Sequence, residues 1–259
     1  MLTPLRMQEV ENGPNHYHLT NSVMFKPLMT PTPKTVSTVF DFAYNMTFGN
    51  TGEHRDHRSG GTHRRKNGEL FINTFQGKIA EYGIYGYFKS KGVELAPPDI
   101  QTWDLGKWDD TDLVVGDKKI NVKSTKHYGN LLLLETKDWN IQGQYLPNIE
   151  SGIANYDFFI LCRLSPDGEG VMKRLRLMYS NTLTMSVDEF KKTLLEEKWA
   201  FDIPGYITHA ELVNAINAPL ILPQGAMLQG STKMDAENYY VQSGDFNSIN
   251  YLVSKELSQ

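Results

Sequence analysis

The segment YDFFILCRL, Tyr156 to Leu164, runs through Phe158, Phe159, Ile160, Leu161 and Cys162 without a polar residue. Side chains of a strand alternate between its two faces. An unbroken apolar run therefore belongs to a central strand covered on both sides. That requirement constrains the fold more than any other feature, because the chain must supply a layer for each face.

One cover is legible upstream. From about Glu69 to Lys89, Phe71, Phe75, Ile79 and Tyr82 mark an apolar line at spacings of four and three, the period of a helix. A second line runs through Gly77, Ala80, Ile84 and Phe88. Such a helix is expected to lie buried between layers, with Gly77, Gly83 and Gly86 permitting close approach. Glu81 falls beside the second line, where a carboxylate is costly unless something pairs with it.

Further elements follow from local signals. DLVV and KKINVKST read as strands joined at Gly116-Asp117, a turn dipeptide. NLLLLET reads as another short strand. MKRLRLMY sets Lys173, Arg174 and Arg176 against Leu175, Leu177 and Tyr179, the alternation of a half-exposed strand. Ser186 with Glu189, and Thr208 with Glu211, have the spacing of capping boxes opening two helices. Residues 1 to about 50 read as an irregular arm with one short strand at TVSTVFDFAY. Gly52 to Glu69 is polar, basic and glycine-rich, an exposed loop. The tail from Pro219 is loop-rich and aromatic. No repeat or Pro/Ser linker divides the chain, so one mixed α/β domain over residues 1–259 is expected.

Composition narrows the class. With 259 residues, 40% hydrophobic and 22% charged, the chain can bury a substantial core. No run of about 18 apolar residues appears, so no membrane span is expected. The N-terminal stretch lacks a basic end followed by an apolar core, and no export signal is expected. Cys162, the one cysteine, excludes an internal disulfide and a cysteine-rich metal site. A cytoplasmic protein is the simplest reading. The net charge of −4 argues against a general polycation, yet a local basic groove suffices for phosphate contact.

The chemistry gathers at TDLVVGDKKINVKST, Thr111 to Thr125. Asn121 and Lys123, two apart on one strand, point the same way, while Ile120 and Val122 point into packing. A hairpin closed at Gly116-Asp117 brings Asp112 near them. A carboxylate, an amide and an ammonium then share one small volume. A hard divalent cation such as Mg²⁺ takes oxygen ligands and keeps several waters. Next to a phosphate it offsets developing charge and activates water, and a nearby lysine orients that water or stabilises the phosphorane.

An Asp heading a hydrophobic strand, then a short hairpin, then hydrophobic-x-hydrophobic-Lys, resembles the PD-(D/E)xK nuclease superfamily, above all the type II restriction endonucleases. GKIAEYGIYGYF resembles that family's first core helix, and YDFFILCRL its following core strand. The resemblance spans roughly residues 69 to 164. It implies a restriction-endonuclease-like core, a central mixed β-sheet flanked by helices. Residues 1–68 would then be an arm and basic loop, and 165–259 added strands, helices and tail. It further implies Asp112, Asn121 and Glu81 as Mg²⁺ ligands and Lys123 as the motif lysine. The activity implied is sequence-specific cleavage of double-stranded DNA by a homodimer, since a twofold protein mirrors a twofold site.

Two departures stand out. Thr111 replaces the proline of the pattern, a minor change. Asn121 replaces its second acid and brings no negative charge, so another acid must compensate. Glu81 is the first candidate and Glu135 the second.

Arg55, Arg58, Arg64, Arg65 and Lys66 fit a phosphate clamp or groove reader. His54 and His57, in a loop with three histidines, suggest a metal, but no fourth ligand of suitable spacing follows and the neighbouring Arg and Lys oppose a cation. Each residue also has a plainer reading. Asp112 could end a turn beside Asp109 and Asp110. Asn121 and Lys123 could form the solvated face of an edge hairpin. Glu81 could pair with Lys78, the basic loop could be a charged solvated segment, and Arg174 and Arg176 a solvated strand face. QGSTKMDAENYY could supply a base-reading loop. The rival activities are a repair or structure-selective nuclease, a DNA-binding protein with a decayed site, and a small-molecule enzyme.

Overall fold

The structure, a computed structural model, describes residues 2–49, 65–100 and 111–257. In chain order its strands are β1 (Arg6–Gln8), β2 (His16–His18), β3 (Leu113–Val115), β4 (Lys118–Lys126), β5 (Leu131–Glu135), β6 (Phe158–Ser165), β7 (Ala200–Thr208), β8 (Ile221–Leu222), β9 (Met227–Leu228), β10 (Thr232–Lys233) and β11 (Asn238–Gln242). Its helices are α1 (Pro33–Met46), α2 (Asn67–Ser90), α3 (Gly168–Arg174), α4 (Val187–Glu196), α5 (His209–Asn217) and a last turn, α6 (Ile249–Tyr251), that runs into a π-helical stretch (Leu252–Glu256).

The central sheet has the order β3-β4-β6-β7. β3 and β7 run antiparallel to their neighbours, and β4 runs parallel to β6. β6 is the doubly covered strand that its apolar run requires. Phe158, Ile160, Cys162 and Leu164 enter one core with α1 and α2. Phe159 and Leu161 enter a second core with Leu132, Leu134, Trp139, Ile207 and Tyr240. The second cover is thus a sheet, β5-β11-β8, supplied partly by the tail expected to be loop. A third sheet, β1-β2-β9-β10, ties the N-terminal arm to the same tail.

Helix α2 holds Phe71, Phe75, Ile79, Ile84 and Phe88 fully buried, each stabilising the fold by about 1.5–3 kcal/mol. Close approach occurs at Gly83, where an added Cβ would meet the Phe201 ring at 2.9 Å. Gly77 and Gly86 have nothing within 4 Å of that position and need no such explanation.

Two segments differ from expectation. TVSTVFDFAY is helix α1, started by Pro33 and by the Thr32 side chain accepting from Thr35 N–H. Its β-branched residues suggest a strand, but Val36, Val39, Phe40, Ala43 and Met46 are buried at helical spacing, and that burial decides. In MKRLRLMY, Met172 to Arg174 end helix α3, which is capped by Asp167. Arg176 then takes φ 60° and the chain turns, with Leu177 fully buried. Its alternating charges therefore lie on a short helix and a turn, not along a strand.

The arm is fastened by one buried cation. Arg163 on β6 is fully buried and clasps Asp202 on β7 through Nε (2.8 Å) and Nη2 (2.6 Å). It also donates to the Val23 and Met24 carbonyls and to Asn130 Oδ1. Asp202 in turn accepts from Lys26 N–H at 2.9 Å. Farther along, Leu28 N–H donates to Phe201 O and Phe201 N–H to Met29 O, so the arm lies beside β7.

Candidate active site

The hairpin closes as its turn dipeptide predicts. Val115 pairs with Lys118 and Leu113 with Ile120, around Gly116 at φ 60°, a conformation that suits glycine. One further step of this register sets Asp112 opposite Asn121, and opposed residues of antiparallel strands share a face. Asp112 Oδ2 accepts the Val122 N–H at 2.6 Å. The carboxylate therefore caps β4 where β3 has ended, at an open edge.

Asn121 is only 6% exposed, and its Oδ1 has no hydrogen-bond partner. A buried acceptor left unpaired costs about 1–3 kcal/mol, so this atom calls for an explanation that packing does not give. Lys123 is half-buried. Among the described residues its ammonium has no hydrogen bond and no ion pair.

Strand alternation separates the two faces of β4. Ile120 and Val122 face the core shared with α2. Asn121 and Lys123 sit beside Phe159 and Leu161 of β6, whose side chains enter the other core. Glu81, on α2, is paired with Lys78 Nζ at 2.6 Å, and both side chains are largely buried. The alternative pairing weighed for Glu81 is thus formed, though more buried than a surface pair.

Glu135 lies elsewhere. With Lys123 it lines a cavity of about 850 Å³ that opens between α2, the end of β4, β5 and the β9–β10 hairpin. Glu81, Asp112 and Asn121 are not part of that lining. Arg65, Asn73, Gln76 and Lys126 are. Asn73 and Gln76 are a polar pair three apart on α2, and that spacing is the only sequence signal they carry. Lys66 sits at the start of α2, its N–H donating to Glu69 at 2.9 Å. Arg55, Arg58, Arg64, His54, His57, Asp109 and Asp110 lie outside the described residues.

Lys126 is committed at the cavity wall. Its Nζ lies 2.5 Å from Glu169 and 3.4 Å from Asp167. Burial opposes its charge, but hydrogen bonds to Glu169 and Tyr128 outweigh it and raise its pKa. Hydrogen bonds from Lys126 and Lys173 hold Glu169 below the usual carboxylate range. Cys162 is walled off in the core, where burial pushes its thiol pKa well up, and it is chemically inert.

The oxygens here that could hold a divalent ion are those of Asp112 and the orphaned amide oxygen of Asn121. Among the described residues no group of three His, Cys, Asp or Glu gathers in one place. Two oxygens, one of them anionic, suit a hard ion that keeps waters and takes phosphate oxygens for the rest of its shell. They do not suit a closed structural site. Among the described residues no helix is long and apolar enough to cross a membrane. No family model, no curated protein and no solved structure matches the chain.

Proposed function

We propose that this chain is a Mg²⁺-dependent endonuclease of double-stranded DNA, built on a restriction-endonuclease-like core. The order α2, β3, β4, β6 supports that core. The observation that supports the activity is an orphaned buried amide oxygen at Asn121, next along β4 to the Val122 N–H that the Asp112 carboxylate accepts, with the uncommitted Lys123 two positions on.

Asp112 and Asn121 would hold the ion. When bound it supplies a Lewis acid that polarises the phosphoryl oxygen and activates water. Lys123 donates a hydrogen bond to the attacking water or to a non-bridging oxygen, where negative charge grows. Water oxygen bonds to phosphorus as the P–O bond to one sugar breaks, the attacking water loses a proton to solvent, and the leaving sugar oxygen takes a proton from solvent to become a hydroxyl. The cavity beside Lys123 carries Arg65 for phosphate contact. Cutting both strands of a twofold site would take two copies of the chain.

Incubation of purified protein with unmethylated phage DNA, with Mg²⁺ or with EDTA, tests the reading. Discrete Mg²⁺-dependent bands are expected, with rates at least about 100-fold lower in Asp112→Ala and Lys123→Ala. DNA left intact across divalent ions overturns the proposal.

One observation favours a second reading. Asn121 is neutral, and no acid triad stands among the described residues, as in a DNA-binding protein whose catalytic site has decayed. Salt-dependent DNA binding without cleavage would select it.

A further inference from the structure

We propose that the β9–β10 hairpin, Met227 to Lys233, reads base pairs from the major groove, with Ser231, Thr232 and Lys233 as the reading side chains. The inference rests on the DNA reading above and adds the element that confers sequence preference.

Three observations carry it. First, Leu228, Gln229, Ser231, Thr232 and Lys233 form one wall of the cavity that Lys123 lines. Lys123 and the hairpin thus face the same cavity.

Second, Ser231, Thr232 and Lys233 are exposed, and among the described residues their side chains have no hydrogen bond or ion pair. Two neighbouring polar groups on that cavity are, by contrast, already engaged. Lys126 is held by Glu169, and the Gln229 amide oxygen accepts from Leu19 N–H and meets His18.

Third, the hairpin backbone is locked. Met227 N–H donates to Asn15 O, Gln229 N–H to Tyr17 O, and Met234 N–H to Ala226 O. Met234 and Ala236 are buried just beyond it. Free donors and acceptors on a rigid ribbon lose little entropy on binding.

The chemistry suits duplex DNA. A two-stranded ribbon fits a major groove about 12 Å wide. Lysine donates to guanine O6 and N7, hydroxyls donate or accept at any base edge, and the threonine methyl packs on the thymine methyl.

The test uses the full chain and a duplex library with a randomised central segment. Retained duplexes are sequenced after binding in Ca²⁺, and fragment ends after cleavage in Mg²⁺. Wild type should enrich a restricted set of sequences. Ser231→Ala combined with Thr232→Ala should flatten the preference at one or more positions by about tenfold or more. Affinity for bulk DNA and its salt dependence should stay within about threefold, because no charge is removed. Lys233→Ala should weaken a guanine preference. Circular dichroism confirms that these exposed-site variants remain folded.

Wild-type preference retained in all three substitutions overturns the inference, as does a wild type with none. Cleavage without selectivity removes the hairpin's role and leaves the nuclease reading standing. Selective retention without cleavage does the reverse. Neither retention nor cleavage overturns both.

Discussion

Two polar side chains on one face of the central sheet have opposite surroundings. Arg163 on β6 is fully buried and engages Asp202, two backbone carbonyls and Asn130. Asn121 on the adjacent β4 is nearly as buried, yet its amide oxygen has no hydrogen-bond partner. A buried ion with all its neighbours in place fastens structure, since removing either partner strands the other. A buried acceptor without a hydrogen-bond partner stabilises nothing, and under the nuclease proposal a bound ion would supply that partner. Satisfaction, more than burial, separates the fastening from the site.

The largest effect that could break this contrast is at Asp202. Asp202→Ala should lower stability by about 3–5 kcal/mol, read from urea unfolding, and loosen the arm around Val23 to Lys26. A loss under about 1 kcal/mol would remove Arg163 as a fastener. At Asn121 the expectation is reversed. Asn121→Leu removes an unpaired acceptor of similar size and should leave stability unchanged or raise it by about 1 kcal/mol, while Mg²⁺-dependent cleavage is lost. A destabilisation like that of Asp202→Ala would make Asn121 structural.

The smallest effect concerns Glu169, which is partly exposed and doubly paired. Its pKa is lowered by hydrogen bonds from Lys126 and Lys173. Its contribution is therefore complete above the ordinary value of 4.5 and fades as pH falls through the lower folded value. Lys126 is raised, so its share is complete below the ordinary 10.5 and fades only as pH rises through the folded value. Glu169→Gln should cost less than about 1 kcal/mol at pH 7, and the difference from wild type should vanish in acid. A difference that persists there would mean packing, not charge.

Where a signal was local, it was legible. The spacing of Phe71, Phe75 and Ile79 marked α2, Gly116-Asp117 marked the hairpin, and Ser186 and Thr208 marked helix starts. Asp112 and Asn121 were readable as neighbours because one tight turn sets their register. What failed depended on distant partners. The β-branched residues of α1 and the alternating charges of Lys173 to Arg176 each fit a strand locally, and tertiary burial chose otherwise. The second sheet was hidden because β11 pairs with β5 about a hundred residues earlier. No pattern within Asn238 to Gln242 announces that partner.

The fastening of the arm also bears on how the chain is made. Thr3 binds Asp245, Gln242 holds Thr3, Pro4 and Thr20, and Leu5 N–H donates to Tyr240. β1 and β2 thus pair with each other early, but their further partners lie more than 200 residues later in the chain. Contacts so far apart in sequence slow folding. The contacts of Thr3 with Asp245 can form only once residue 245 has been translated.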